Sequence, residues 1–284
     1  LRFLNKFQNI KAAVFSYDIN TDISIIIACK ILNIRTFSFQ ERSNAYFFTP
    51  YMYFDEYYVS GPKIKKLFSS NFFRFDSLNI LSLSRSKLIH NKNKNSDKKN
   101  IICLPPPILD ENTRINYGDI FSRDKIKNFY EIVFKLSKSF PNHIFWIKNK
   151  FTHNNLFTNE FGDYLKKLNV KNISILEDKK KNSLYKLIKN AQLLFGNYSS
   201  FFDECFSVNE KILLYDKDFS AFDHPLKSTN IFCNDFFEIE QRMNLMLLDK
   251  FNYDIKTSEI KNDYFPTFKK NSTDVYSHII SRIN

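Results

Sequence analysis

Glycine is scarce in this chain, with four residues in 284. A glycine placed between a strand and a helix therefore stands out, because it lets the backbone take positive φ or approach a ligand closely. Cysteine is equally sparse. Cys29, Cys103, Cys205 and Cys233 form no CxxC pair and lie in or beside apolar segments, as buried thiols of a reducing compartment do. The five histidines form no HxxxH or HExxH, so no metal site is expected. No apolar run approaches the roughly 20 residues that cross a bilayer. Arg2, Lys6 and Lys11 interrupt the amino-terminal segment, which argues against a signal peptide. The chain opens on Leu1 rather than Met, as a fragment of a longer chain would.

Acidic residues fall short of basic ones, 30 against 42, leaving a formal net charge of +12. That balance suits phosphorylated ligands, anionic lipid or nucleic acid. The charge is spread along the chain, apart from one cluster at 87–99. There is no zinc spacing and no aromatic motif of the common RNA-binding sheet, so no nucleic-acid partner is expected. Hydrophobic residues make up 43% and aromatics 17%, enough for a sizeable core. Thirty-two Phe beside heavy Lys, Asn and Ile usage indicate compositional drift, so aromatic and Asn-rich patches are discounted as functional signals.

The pattern along the chain alternates strand and helix. "AAVFSY" (12–17) reads as a buried strand, "DISIIIACKILNI" as a helix and "RTFSFQ" as a second strand, which together make a β-α-β unit. "FDEYYVSGP" is a third strand and "KIKKLFSS" a helix after it. Residues 87–99, "KLIHNKNKNSDKK", read as a basic linker. The alternation then restarts with "NIICLPPP", a helix over 124–139, "HIFWIKN", a helix over 158–168 and "ISILE". Asn182-Ser183 caps a helix "LYKLIKNA". The strand "LLF", a loop at 196–200, the helix "FFDECFSV" and the strand "KILLY" follow, with further helices at 236–248 and 271–283.

This order predicts an α/β fold of two Rossmann-like, doubly wound domains facing a cleft. The expected boundaries are 1–86, the linker 87–99, 100–250, and a tail over 251–284 that packs back on the first domain. The first 100 residues supply about three strands, against the five or six of a full nucleotide-binding unit, so the amino-terminal domain is read as short or truncated.

Gly196-Asn197-Tyr198-Ser199-Ser200 lies between a strand and a helix, where such folds bind ligands. A helix amino terminus favours phosphate, and two serine hydroxyls can donate to its oxygens. The competing reading of Ser200-Phe-Phe-Asp203 is a variant capping box, with Asp203 reaching back to the cap. Asp216 and Asp218 follow the last strand, with His224 six residues beyond, and read as turn chemistry.

The segment "SLYKLIKNAQLLFGNYSSFFDECFSVNEKILLYD" resembles the donor-binding segment of the CDP-glycerol glycerophosphotransferase and surface-polysaccharide transferase families. Their pattern is a helix, a strand, "(T)DYSS", an acidic residue four places on, and a "KPIIFYD"-like strand. Tyr198, Ser199 and Ser200 match, Glu204 falls on the acidic position, and Asn197 and Lys211 replace the usual Asp and Pro. "CKILNIRTFSFQER" and "FDEYYVSGPKIKKLF" are similar to the family's "LGIPTIxxQHG" and "DYYFVWGPxxKxxL". Gln40 matches there, while Glu41-Arg42 stand in place of His-Gly. "HIFWIKNK" resembles "lIKxHP", with Lys148 matching and Asn149-Lys150 in place of the following His.

The resemblance implies a GT-B-like enzyme that passes a sugar or polyol phosphate from a nucleotide mono- or diphosphate donor to a surface glycan, with a lipid-linked acceptor. It implies donor contacts from Gly196, Asn197, Tyr198, Ser199, Ser200, Glu204 (to the ribose), Lys148 and Lys150. Gln40 and Arg42 would contact acceptor or phosphate, and Glu41 would be the general base. The implied reaction needs no metal cofactor and runs in the cytoplasm, with peripheral contact at the inner membrane face. A non-catalytic relative that binds a glycan or a partner transferase is the alternative.

Overall fold

The computed structural model describes residues 9–15, 21–40, 53–70, 74–81, 83–90, 99–106, 123–148, 155–176, 183–197, 199–215, 224–266 and 275–283. The chain divides into two compact units, one of Leu1–Lys87, Phe206–Val208 and Ser258–Asn284, the other of Leu88–Cys205 and Asn209–Thr257.

The first unit holds β1 (Ala12–Phe15), α1 (Ile23–Ile31), β2 (Arg35–Phe39), β3 (Tyr53–Val59), α2 (Pro62–Ser70) and β4 (Arg74–Ile80). Its strands pair in parallel in the order β1-β2-β3-β4. Every step moves the same way across the sheet, so right-handed crossovers leave α1 and α2 on one face. Ile26 of α1 and Ile64 and Phe68 of α2 accordingly share a core with Phe54, Tyr57 and Val59. Asp22 starts α1 by accepting the Ser24 amide at 2.9 Å. β4 went unread in the sequence because "RFDSLNI" is an edge strand studded with Arg74, Asp76, Ser77 and Asn79 rather than a continuous apolar run. Among the described residues, four strands thus precede β5, not three.

After β4 come a 3-10 turn and α3 (Lys87–His90), with Ile89 fully buried, so the first residues of the expected linker are helical. The second unit then holds β5 (Asn100–Leu104), α4 (Arg123–Ser139), β6 (Ile144–Lys148), α5 (Asn155–Lys167), β7 (Ile173–Leu176) and α6 (Leu184–Leu187). It continues with β8 (Ala191–Gly196), α7 (Ser200–Ser207), β9 (Ile212–Tyr215), β10 (Phe232–Cys233) and α8 (Phe236–Leu247). The cap expected at Ser183 fails, because its side chain makes no capping bond and the helix passes after four residues into a 3-10 turn ending at Asn190. Asn182 lies outside the described residues.

The parallel sheet of this unit runs β10-β9-β8-β5-β6-β7. Counted within the unit, that is the 3-2-1-4-5-6 order of a doubly wound, dinucleotide-type fold, and its direction reverses between β5 and β8. Strands buried on both faces read as apolar runs, which is why "IICL", "LLF" and "ILLY" stand out.

Two helices complete the chain. α9 (Ile255–Tyr264) was missed in the sequence because it lacks a one-sided apolar stripe, and it starts at Asp254, which accepts the Thr257 amide at 2.6 Å. α10 (Val275–Ile283) packs Ile279 against Phe37 and Tyr58 in the first unit, on the sheet face away from α1 and α2. Among the described residues no helix is long and apolar enough to cross a membrane.

Candidate functional site

The carboxyl ends of β5 and β8 meet at the reversal of the second sheet. Leu104 pairs with Gly196, and the Asn197 amide donates to the Leu104 carbonyl at 3.0 Å. Gly196 has φ +154°, and a Cβ there would lie 2.2 Å from that carbonyl oxygen. The chain therefore turns at a position only glycine tolerates. β6 is the other neighbour of β5, with Ile147 opposite Cys103. This register puts Lys148, the last residue of β6, level with Leu104 and Gly196, about 10 Å across two strand spacings. Lys148 is buried.

From Gly196 the chain enters α7. Ser199 is the cap, with Oγ accepting the Phe201 amide at 3.3 Å and its carbonyl accepting the Phe202 amide at 2.9 Å. The capping-box reading on Ser200 and Asp203 does not hold. Ser200 is already the first helical residue, and Asp203 points inward to His224, whose Nε2 lies 3.2 Å from Asp203 Oδ1. Ser199 and Ser200 are both half-buried. The Ser199 hydroxyl accepts one bond and keeps its proton to donate. Helix-terminal amides and a hydroxyl donor favour an anion at this point.

Glu204 sits one turn further along α7. It is buried, and Tyr185 donates its hydroxyl to Oε2 at 2.6 Å. Sequence reasoning missed Tyr185, and only the 19-residue separation closed by folding reveals it. Burial also pushes the Cys103 thiol, inside β5, far above its ordinary range.

In the first unit, Gln40 follows β2 and is buried, with its Oε1 accepting the Ser60 amide at 2.9 Å. Ser38 Oγ, on β2, and Ser60 Oγ, just after β3, are buried with no hydrogen-bond partner. Glu41, Arg42, Lys150 and Tyr198 lie outside the described residues. Gly196, Asn197, Ser199, Ser200, Glu204 and Lys148 thus belong to one sheet edge and the helix behind it, and Gln40 to the other unit.

Two parallel α/β units, one with the 3-2-1-4-5-6 order, define a Rossmann-type architecture. No protein-family model and no curated protein matches the chain. Solved structures do, at low identity. The UDP-GlcNAc 2-epimerase from Neisseria meningitidis, bound to UDP-GlcNAc, is 12% identical with a TM-score of 0.62, over 99% of this chain and 77% of that one. MnaA of S. aureus, solved with UDP, is 13% identical with a TM-score of 0.60, again over 99% and 77%. A variant of the wall teichoic acid polymerase TagF with CDPG is 12% identical with a TM-score of 0.52, over 81% of this chain and 56% of that one. The chain thus spans little more than half of the TagF chain. These likenesses establish a GT-B-like, Rossmann-type fold.

Proposed function

We propose that the chain binds a nucleotide-activated sugar or polyol phosphate at the carboxyl ends of β5, β6 and β8 and acts as a transferase in surface-polysaccharide synthesis. The observation that carries this reading is the glycine-only turn at Gly196, seated at the sheet reversal and running into a helix capped by Ser199. Ligands of open α/β sheets bind beyond such reversals. The neighbours with UDP, UDP-GlcNAc and CDPG support the same ligand class.

In this mechanism the α7 amino terminus, Asn197, Tyr198 and the Ser199 and Ser200 hydroxyls hold the donor phosphates. Lys148 and Lys150 neutralise the charge that builds on the leaving phosphate. Tyr185 orients Glu204 toward the ribose hydroxyls. Glu41 takes the proton from the acceptor hydroxyl as its oxygen attacks the transferred group, and the departing nucleotide keeps the electron pair of the broken bond. Gln40 and Arg42 contact the acceptor or its phosphate. The positive groups named here stabilise the departing phosphate without a metal cofactor. The acceptor is a glycan, lipid-linked, and the protein works in the cytoplasm at the inner membrane face.

A second reading, a non-catalytic relative that binds a glycan or a partner transferase, is favoured by one observation. Glu41-Arg42 and Asn149-Lys150 stand where the family pattern carries histidines. Thermal shift with CMP, CDP, UDP and GDP decides between them. At a hundred times Kd a bound nucleotide adds about 2.7 kcal/mol, a rise of several degrees for a chain of this size. Ser199→Ala and Glu204→Ala are expected to abolish that rise while keeping the apo melting temperature within a few degrees. No shift with any nucleotide would overturn the donor site and leave the second reading.

A further inference from the structure

We propose that two copies of the chain pair edge to edge through β1, antiparallel across a two-fold axis, so that their four-stranded sheets join into one. β1 ends its sheet, and among the described residues no strand lies on its outer side. The Lys11 carbonyl accepts the Arg35 amide at the start of β2, so Lys11, Ala13 and Phe15 bond inward. Successive residues of a strand bond to opposite neighbours, so the main-chain groups of Ala12 and Val14 point to the open side. Native sheet edges are guarded by charge, proline or a bulge. "AAVF" has none of these and keeps an unbroken register with β2. A two-fold axis through Ala13 sets Ala12 of one copy opposite Val14 of the other, where the two exchange both main-chain bonds. The small Ala13 side chains then meet at the close-spaced pair on the axis.

α1 supplies the other half of the surface. A helix on the outside of a globular unit ordinarily turns a polar face to water. α1 is apolar all round. It buries Ile26, Ala28 and Cys29, yet Ile23, Ile25, Ile27 and Ile31 are 50%, 45%, 52% and 60% exposed, and Ser24 is the one other exposed position. Its single charged residue, Lys30, is tied to Asp55 of β3. Such a helix belongs under cover. As the connection from β1 to β2, α1 lies over that pair. The two-fold axis therefore brings the partner's α1 alongside it, antiparallel, about two strand spacings or roughly 10 Å away, which is the distance at which helices pack. The charges agree with this direction. Exposed Asp22 starts α1, and exposed Lys11 stands at the opposite end of the layer, bonded to Arg35 just beyond the helix. Antiparallel pairing sets the acidic end of each copy beside the basic end of the other and opposes the helix dipoles. A lipid surface would take the isoleucines but leave the main-chain groups of the β1 edge unpaired, whereas a second copy satisfies both.

The pairing uses neither the donor site nor a nucleotide, so either reading can fail alone. The test is sedimentation velocity of the purified full chain from about 1 to about 100 µM, a range suited to a small interface. The sedimentation coefficient is expected to climb from that of a monomer to that of a dimer. Val14→Pro removes an outward amide and none that bonds to β2, so it should fold, as circular dichroism and the melting temperature will show. It is expected to weaken association at least about tenfold, because each dimer loses two hydrogen bonds. Ile27→Lys/Ile31→Lys changes exposed side chains only and sets like charges on both helices of the contact. It is also expected to weaken association at least about tenfold. A chain that stays monomeric throughout, whether or not it binds lipid vesicles or another protein, overturns the proposal. So does a dimer that either variant leaves undiminished, which would place the contact elsewhere.

Discussion

Asp203 Oδ1 lies 3.2 Å from Nε2 of His224, with both side chains buried, while His224 Nδ1 accepts the Leu226 amide at 3.2 Å. An imidazole that accepts at Nδ1 carries no proton there, so its proton sits on Nε2; the 3.2 Å approach to Asp203 Oδ1 is a close contact rather than a hydrogen bond. The pair ties the 3-10 turn at Pro225–Ser228 to the first turns of α7, the helix whose amino terminus forms the candidate site.

This arrangement predicts unequal costs for two substitutions. His224→Ala removes the imidazole from a buried carboxylate and is expected to cost about 3 kcal/mol, lowering the melting temperature by about 6–12 °C. Asp203→Asn removes the buried charge while keeping the shape of the side chain and is expected to cost about 1 kcal/mol. Equal losses in a thermal melt would contradict this ranking.

Two glycines separate by the same comparison. A Cβ at Gly196 would meet the Leu104 carbonyl oxygen at 2.2 Å with φ +154°, so β5 and β8 would have to part. Gly196→Ala is expected to cost about 3 kcal/mol or more, or to abolish soluble expression. A Cβ at Gly162, inside α5, would meet only Ile175 Cδ1 at 3.6 Å, an ordinary contact. Gly162→Ala is expected to stabilise by up to about 1 kcal/mol, because alanine is the better helix former. Urea midpoints measure both.

Glu56, on β3, is fully buried, and Arg35 Nη2 lies 2.8 Å from its Oε1. Tyr58 donates its hydroxyl to Glu56 Oε2 at 3.1 Å, and Arg282 Nε and His278 Nε2 of α10 stand 3.7 Å and 3.6 Å away. Arg35 also donates to the Arg282 carbonyl at 3.0 Å, so it bridges Glu56 of β3 and the end of α10. Arg35→Ala strips a buried carboxylate of its nearest cation and is expected to cost about 3 kcal/mol. Limited proteolysis should then cut within α10 faster than in the native chain. Glu56→Gln removes the charge together with its need for a partner and is expected to cost less.

Alkaline pH should expose the buried thiols. Burial is the leading cause that raises Cys103, and raises Cys233 to about 12. An unfolded thiol ionises near 8.5. The folded protein therefore binds the extra protons, and the stabilisation from these thiols is complete below about pH 8.5 and lost as pH climbs toward 12. Each thiol contributes a slope of about 1.4 kcal/mol per pH unit in that window. Lys261 runs the other way. Burial lowers it to about 8, so its penalty is relieved as pH rises from there. Comparing the native chain with Cys103→Ala/Cys233→Ala from pH 8 to 10 cancels the lysine's contribution. The variant's melting temperature should fall less steeply, and parallel curves would rule out the thiol effect.

Much of the fold was legible in the sequence because its signals are local. An apolar run of four or five residues bounded by turn formers marks a fully buried strand wherever it pairs, and "IICL", "LLF" and "ILLY" announced β5, β8 and β9. Gly196 stood out because the chain has so few glycines, and its turn between a strand and a helix was readable for the same reason. Elements without a local signal were missed: polar β4, two-residue β10, and α9 with no apolar stripe.

What only the tertiary structure decided is who meets whom across long stretches of chain. The amino acids of β5 and β8 dictate strands, but their pairing across the sheet reversal depends on hydrogen bonds between segments more than 90 residues apart. Composition puts Ser199 and Ser200 side by side, yet helix geometry alone makes the first the cap and the second the opening residue of α7. Asp203 and Glu204 are adjacent and both buried, and folding sends one to His224 and the other to Tyr185. Periodicity is a property of neighbours in sequence. A buried carboxylate takes whichever donor the packed chain delivers, because leaving it unpaired costs more than any local preference can repay.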